Sequence, residues 1–176
     1  MFMTKYVRLA TSQDRDAMMK IIDEGKQSLA ADQIPQWQDG YPQASDLQKD
    51  IDAQNAWLLI VDGQVAGTAT LLTHPDPNYA RIYDGSWSAA SDDHYTSIHR
   101  IAIASGYHGQ HLADFYFSNL MTLSYQLGFK QLRIDTHAKN ARMQHVIKKA
   151  GFTYRGIVYM ANDATDQRNA YQITLS

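Results

Sequence analysis

Polar and apolar positions along the chain fall into runs of two periods. Tyr6 to Ala10 suits a short first strand. Thr11 then caps a helix with Asp14 in its first turn and Ala17, Met18, Ile21, Ile22 and Leu29 on one face. The stretch IPQWQDGYP, Ile34 to Pro42, breaks that rhythm, and its prolines and glycine signal an irregular loop. Ser45 and Gln48 have the spacing of a capping box for a short helix that carries Leu47 and Ile51. Ala56 to Val61 and Gln64 to Leu72 read as two apolar, partly β-branched strands. Asp62-Gly63 between them supplies the positive φ angles of a tight hairpin. From His74 to His94 runs a long segment rich in Pro, Asp, Ser and aromatic residues. Unstructured length of that kind inside a compact domain is functional or disordered.

The remainder alternates in type. Thr96 to Ala104 reads as a strand, His111 to Leu127 as a helix ended by Gly128, and Gln131 to Thr136 as a strand. Asn140 to Ala150 reads as a helix stopped by Gly151, with Lys148 and Lys149 at its negative end. Phe152 to Tyr159 and Asn169 to Leu175 close the pattern as strands. Leu112, Phe115, Tyr116, Leu120, Leu123 and Leu127 give the first of these helices a core-facing stripe. Met143, Val146, Ile147 and Ala150 do the same for the second. An antiparallel hairpin followed by strand-helix-strand-helix-strand predicts an α/β fold, a mixed, mostly antiparallel sheet with helices on both faces.

Composition narrows this further. A chain of 176 residues suits one compact domain, residues 1–176, and no repeat or linker divides it. No apolar run reaches the roughly 18 to 20 residues of a membrane span, and the N-terminus lacks the apolar core of a signal peptide. A cytoplasmic protein without a membrane partner is expected. There is no cysteine, hence no disulfide, no thiolate nucleophile and no thiolate metal site. Net charge is −2, which gives no reason to expect nucleic acid as a partner. Yet Ser105 to Arg155 holds seven Lys or Arg against two acids, leaving nine basic and sixteen acidic residues elsewhere. A basic C-terminal half suits a polyanionic ligand, although a chance surface asymmetry produces the same count.

The stretch IHRIAIASGYHGQHLADFYF, residues 98 to 117, carries the chemistry. A strand ends, a turn with Gly106 and Gly109 follows, and an amphipathic helix begins. Such a junction aims free backbone N–H groups and a positive helix end at one spot, which is how proteins hold pyrophosphate. On its own a glycine turn between strand and helix is more often only a turn. With its surroundings, however, this segment resembles the GNAT acetyltransferases. Their signature is Arg/Gln-x-x-Gly-x-Gly/Ala after an apolar-Ala-apolar triplet. Here the triplet is Ile101-Ala102-Ile103, and the loop is His108-Gly109-Gln110-His111-Leu112-Ala113. Ala113 fits; His108 stands at the Arg/Gln position and His111 at the central Gly, where backbone binding of pyrophosphate requires a helical φ. Asn140 and the sequence Ala150-Gly151-Phe152 also match the family, as do QWQDGYP and Trp87, which are similar to a bacterial branch of it.

The resemblance implies a single-domain GNAT fold with acetyl-coenzyme A in a cleft between Thr96–Ala104 and Gln131–Thr136. Backbone amides of Ile101, Ala102 and Ile103 would hold the pantetheine and thioester, those from Gly109 to Ala113 the pyrophosphate, and Asn140 the pantetheine arm. The substrate would be the primary amine of a small molecule or peptide. It would attack directly, since no cysteine can form an acyl-enzyme.

His99 is the preferred general base. In a strand it shares a face with Ser97, Ile101 and Ile103, and an imidazole of ordinary pKa, about 6.5, suits proton removal near neutral pH. A strand histidine held for structure alone is the competing reading. The family's usual proton donor, a tyrosine four residues before the Gly of Gly-Phe, is Ile147 here; Tyr154 or Tyr159 would serve instead, or water. Trp37 and Tyr41 fall where the family builds its substrate wall, with Trp87, Tyr79 and Tyr83 opposite, unless these rings only anchor loops. Seven histidines raise a metal site at His108, His111 and His145. There is no HExxH and no carboxylate at a telling spacing, so no metal is expected. GxxxxGK[ST] is also missing, against nucleotide hydrolysis. A non-catalytic acyl-CoA-binding or sensing module is the alternative, a protein-interaction domain the third class. A homodimer is compatible with all three.

Overall fold

The computed structural model describes residues 2–88 and 93–176. Its strands are β1 (Lys5–Leu9), β2 (Ala56–Val61), β3 (Gln64–Leu72), β4 (Thr96–Ile103), β5 (Gln131–Thr136), β6 (Thr153–Met160) and β7 (Asp163–Thr174). Its helices are α1 (Arg15–Ala31), α2 (Ala44–Asp52), α3 (Leu112–Gln126) and α4 (Ala141–Lys149), with short 3-10 turns at Ser12–Asp14, Pro77–Tyr79 and Ser105–Tyr107. The chain forms two compact units, Met1–Leu71 with Arg100–Tyr116, and Leu72–His99 with Phe117–Ser176. It passes from one to the other within β4 and within α3. With β4 shared, the strand order is β1-β2-β3-β4-β5-β7-β6, a mixed and mostly antiparallel sheet.

In the first unit β1, β2 and β3 pair antiparallel. Asp62 (φ 47°) and Gly63 (φ 79°) make the expected primed turn, whose twist matches that of the strands. Met18 and Ile22 of α1 and Leu47 and Ile51 of α2 pack with Leu58 and Ile60 of β2 into one core cluster. Two helix starts differ from expectation because an aspartate sets each. The Asp14 carboxylate accepts the Thr11 N–H (2.8 Å), so Thr11 caps the turn Ser12–Asp14 and α1 begins at Arg15. Asp46 accepts the Gln43 N–H (2.8 Å), which moves the capping box ahead of Ser45; Gln48 reaches Ser12 and Asp52 instead.

In the second unit β4 pairs parallel with β5 at Thr96↔Leu132 and Ser97↔Arg133. Antiparallel β7 pairs with both β5 and β6. Directly opposed residues share a face, which separates two layers. One face presents Arg133, Asp135, Ala170 and Gln172 to the segment from Asp76 to Trp87 and to Tyr95. The other presents Ile134, Tyr154 and Tyr171, with the Tyr171 hydroxyl on Gln144 of α4 (3.3 Å). The long segment between His74 and His94 is therefore a built cover for the sheet; its residues 89–92 lie outside the described ones. Ala161 (φ 49°) and Asn162 (φ 61°) turn β6 directly into β7, which starts at Asp163, well before the expected Asn169. No glycine marks that turn, so the sequence hid it.

Candidate active site

His99 ends the part of β4 that belongs to the second unit, and three groups hold its imidazole. Nε2 lies 2.9 Å from Oδ2 of Asp76 and 3.0 Å from Oγ of Ser97. The ring stacks on Tyr79 with centroids 5.8 Å apart and planes at 27°. Asp76 is itself fixed: its Oδ1 accepts the Asn78 N–H (2.8 Å) and its own N–H donates to the Tyr95 hydroxyl (2.9 Å). Burial pushes the Asp76 carboxyl up, but the bonds from His99 and the Asn78 N–H outweigh that and hold it below its ordinary value. The Tyr79 hydroxyl donates to Asp135 (2.6 Å), and burial next to that carboxylate drives the phenol well above a tyrosine's usual range. Burial also raises Asp135. Sequence reasoning missed Asp76 and Asp135. The signal available for Asp76 was Asp-Pro-Asn, an aspartate able to cap a proline-started turn, but nothing linked it to a histidine in a later strand.

Alternation predicts that His99 shares a face with Ser97, Ile101 and Ile103. The pairing with Ser97 is present. It cannot be extended to Ile101 and Ile103, because Arg100 takes φ 47° and breaks the extended path. Arg100, in the first unit, pairs bidentately with Asp50 (2.6 and 2.7 Å) and donates to Thr70 Oγ1 (3.3 Å) and to the Tyr41 hydroxyl. So the structure joins Tyr41, 39% exposed, to an ion pair the sequence did not reveal. Trp37 is half-buried against the core cluster of the first unit, as is Ala102. A Cβ added to Gly25 would stand 3.2 Å from the Trp37 ring, so this mid-helix glycine makes room for the indole.

The loop after β4 also belongs to the first unit. The Ser105 N–H donates to Glu24 of α1 (2.7 Å), and His108 Nε2 bonds the Ile103 carbonyl (2.9 Å). Gly109 has φ 79° and His111 φ 55°. The helical φ set as the condition for backbone binding at His111 is not met: the residue takes the left-handed conformation that a glycine would, so the backbone path a glycine allows is present in spite of the imidazole. Gly106 and Gly109 face open space, so the loop backbone is open to a ligand where it leads into α3 at Leu112. This fits a bound pyrophosphate. His108, Gly109, Gln110 and His111 are exposed, Ala113 is half-buried and Leu112 buried.

The other candidates lie in the second unit. Asn140 is the N-cap of α4, its Oδ1 accepting the Met143 N–H (3.1 Å). Ile147 is fully buried in the core and supplies no proton. Tyr154 is 46% exposed on the α4 face, edge-on to Tyr171, whereas Asp135, to which Tyr79 bonds, lies on the opposite face. Tyr159 stacks on Tyr83 at 4.2 Å. The Trp87 indole donates to the Tyr79 carbonyl (3.0 Å) and lies 4.0 Å from the Arg133 guanidinium, which Tyr95 covers at 3.7 Å. Among the described residues no cluster of three or more His, Cys, Asp or Glu is placed for a metal ion, and no helix is long and apolar enough to cross a membrane.

A seven-stranded mixed sheet with a glycine-containing loop leading from β4 into α3 is the arrangement that comparison with known proteins places among acetyltransferases. The model of the acetyltransferase (GNAT) family matches residues 22–152, and the chain belongs to that family. A GNAT-family acetyltransferase from Streptococcus agalactiae is 33% identical, covers 98% of this chain and 96% of its own, and superposes with a TM-score of 0.89. Two more distant structures share the fold. The yncA protein of Salmonella typhimurium, solved with acetyl-CoA, is 16% identical (98% and 94% covered, TM-score 0.69). The aminoglycoside acetyltransferase AAC(6')-Ib, solved with coenzyme A and kanamycin, is 19% identical (97% and 95% covered, TM-score 0.68). A comparison with curated protein sequences gives no match. By its family the protein is an acetyltransferase.

Proposed function

We propose that residues 1–176 act as one N-acetyltransferase domain that moves the acetyl group of acetyl-CoA to a primary amine of a small molecule or peptide. When bound, the cofactor supplies an acetyl thioester whose carbonyl carbon the amine attacks. Backbone amides of Ile101, Ala102 and Ile103 hold the pantetheine and polarise that carbonyl. Those of His108 to Ala113 hold the pyrophosphate, with Asn140 on the pantetheine arm. His99 takes one proton of the substrate ammonium, the freed amine bonds to carbon, the C–S bond breaks as the nitrogen gives its second proton to water, and Tyr154 or water protonates the departing thiolate. Trp37, Tyr41 and Trp87 shape the acceptor side. The observation that carries this reading is the histidine at position 99, held by Asp76, Ser97 and Tyr79 two residues before the Ile-Ala-Ile triplet.

Thiol release across a panel of primary amines tests it. Turnover with at least one amine, lowered roughly 10²-fold in folded His99→Ala at neutral pH with coenzyme A affinity kept within a few-fold, is the expected result. Acetyl-CoA binding without turnover on any amine would favour the sensing alternative.

A further inference from the structure

We propose that Asp76 is a positioning residue for His99, accepting its Nε2–H and so making Nδ1 the nitrogen that takes the substrate's proton. The inference rests on His99 as the base and deepens that reading.

Three observations carry it. First, the carboxylate is built into place. Asp76 is 6% exposed, its backbone N–H is held by Tyr95, its Oδ1 by the Asn78 N–H, and Pro77 starts the turn behind it. Its other oxygen, Oδ2, stands 2.9 Å from Nε2 of His99. Second, an ionised carboxylate has no proton to give, so the nitrogen facing it must carry the hydrogen. A neutral imidazole has one N–H, which leaves the lone pair on Nδ1. Asp76 is held below its ordinary value, so at neutral pH it is ionised and the opposite arrangement, a carboxylic acid donating to Nε2, does not arise. Third, the ring cannot turn over freely. Stacking on Tyr79 fixes its plane, and the Ser97 hydroxyl, 3.0 Å from the same Nε2, shares the N–H.

Proton balance follows. The ammonium loses one proton to Nδ1, giving an imidazolium with an N–H on each nitrogen. The Asp76 carboxylate balances that charge, and the ring returns to neutrality by releasing the proton to water. The ionisable groups around the ring are Asp76 and Tyr79 at contact and Asp135, which the His99 charge also reaches; the Tyr79 proton is committed to Asp135.

Nitrogen-15 and carbon-13 NMR of His99 in the full chain, assigned by its loss in His99→Gln, reads the tautomer of the neutral ring directly. The expected wild-type signal is the Nε2–H form; an Nδ1–H form overturns the proposal without any variant. Asp76→Asn keeps an acceptor for the Asn78 N–H but turns an NH2 toward Nε2, so the signal should switch to Nδ1–H. Turnover should fall roughly 10- to 100-fold at neutral pH, with the KM for acetyl-CoA unchanged within a few-fold. A folded Asp76→Asn with switched tautomer and full kcat overturns the positioning role while leaving His99 as the base, provided His99→Gln is inactive. If His99→Gln keeps wild-type turnover, the base reading fails and the catalytic half of this proposal falls with it.

Discussion

Arg100 and Asp50 form a bidentate ion pair, Nε to Oδ2 at 2.6 Å and Nη2 to Oδ1 at 2.7 Å, with the side chains only 13% and 8% exposed. Arg100 is also the residue at which β4 leaves the extended conformation, at φ 47°. A non-glycine residue in that region costs roughly 1–2 kcal/mol, and the ion pair anchors the side chain that bears it. The bend, the anchor and the Tyr41 hydroxyl thus meet at one guanidinium.

Removing that guanidinium leaves the Asp50 carboxylate buried, with the Thr70 hydroxyl still donating to it. Arg100→Ala should therefore cost about 3 kcal/mol in urea unfolding. Arg100→Gly loses the same pair but relaxes the backbone, and should be about as stable as the alanine variant or better, despite glycine's entropic penalty. If alanine proves clearly the more stable, backbone strain at this position is negligible.

Strand-helix order and the β2–β3 hairpin were legible because period and turn chemistry are local. The hairpin bounds and β5 agree residue for residue with expectation. Where the reading slipped, a residue distant in sequence or an unusual dihedral decided. Arg100 shows no outward sign of a left-handed φ, since only its partner Asp50, fifty positions away, accounts for its placement. The Asp76–His99 pair was hidden for the same reason. Trp37, a substrate-wall candidate by sequence, also packs into the fold, with the mid-helix Gly25 beside its ring.

Acid should weaken the fold in a defined window. Arg8, bonded to the Asp14 carboxylate at 2.9 Å, lowers it to about 2 despite partial desolvation, helped by the Thr11 N–H and hydroxyl. A carboxyl depressed on folding contributes stability above its unfolded pKa and loses it as pH falls through the folded one. Stability should drop between about pH 4 and pH 2, with Asp76 adding to the same slope. Arg8→Ala should lower stability at neutral pH by about 1 kcal/mol, less than full linkage because Arg8 is partly in solvent, and flatten the slope. Urea midpoints measured from pH 2 to 7 check this; equal slopes in both proteins would remove Arg8 from the account.

The loop before α3 gives the sharpest contrast, because two neighbouring positive φ angles are carried by different residue types. Gly109, at φ 79°, is suited to its conformation; His111, at φ 55°, is not, and bears strain of roughly 1–2 kcal/mol. His111→Gly removes that strain but adds chain entropy to the unfolded state, so a small gain of about 0.5 kcal/mol is expected. The backbone path is unchanged, so coenzyme A affinity by calorimetry should stay within a few-fold of wild type, and coenzyme A should raise the melting temperature of both proteins. Gly109→Pro acts in the opposite sense. Proline is confined near φ −65° and lacks an N–H, so the loop must take another path and one donor is lost. Coenzyme A binding should then disappear while circular dichroism still reports a folded chain. Wild-type affinity in a folded Gly109→Pro would mean that the pyrophosphate is held elsewhere. A large loss of affinity in His111→Gly would instead assign the imidazole itself a part in binding, beyond the backbone conformation it adopts.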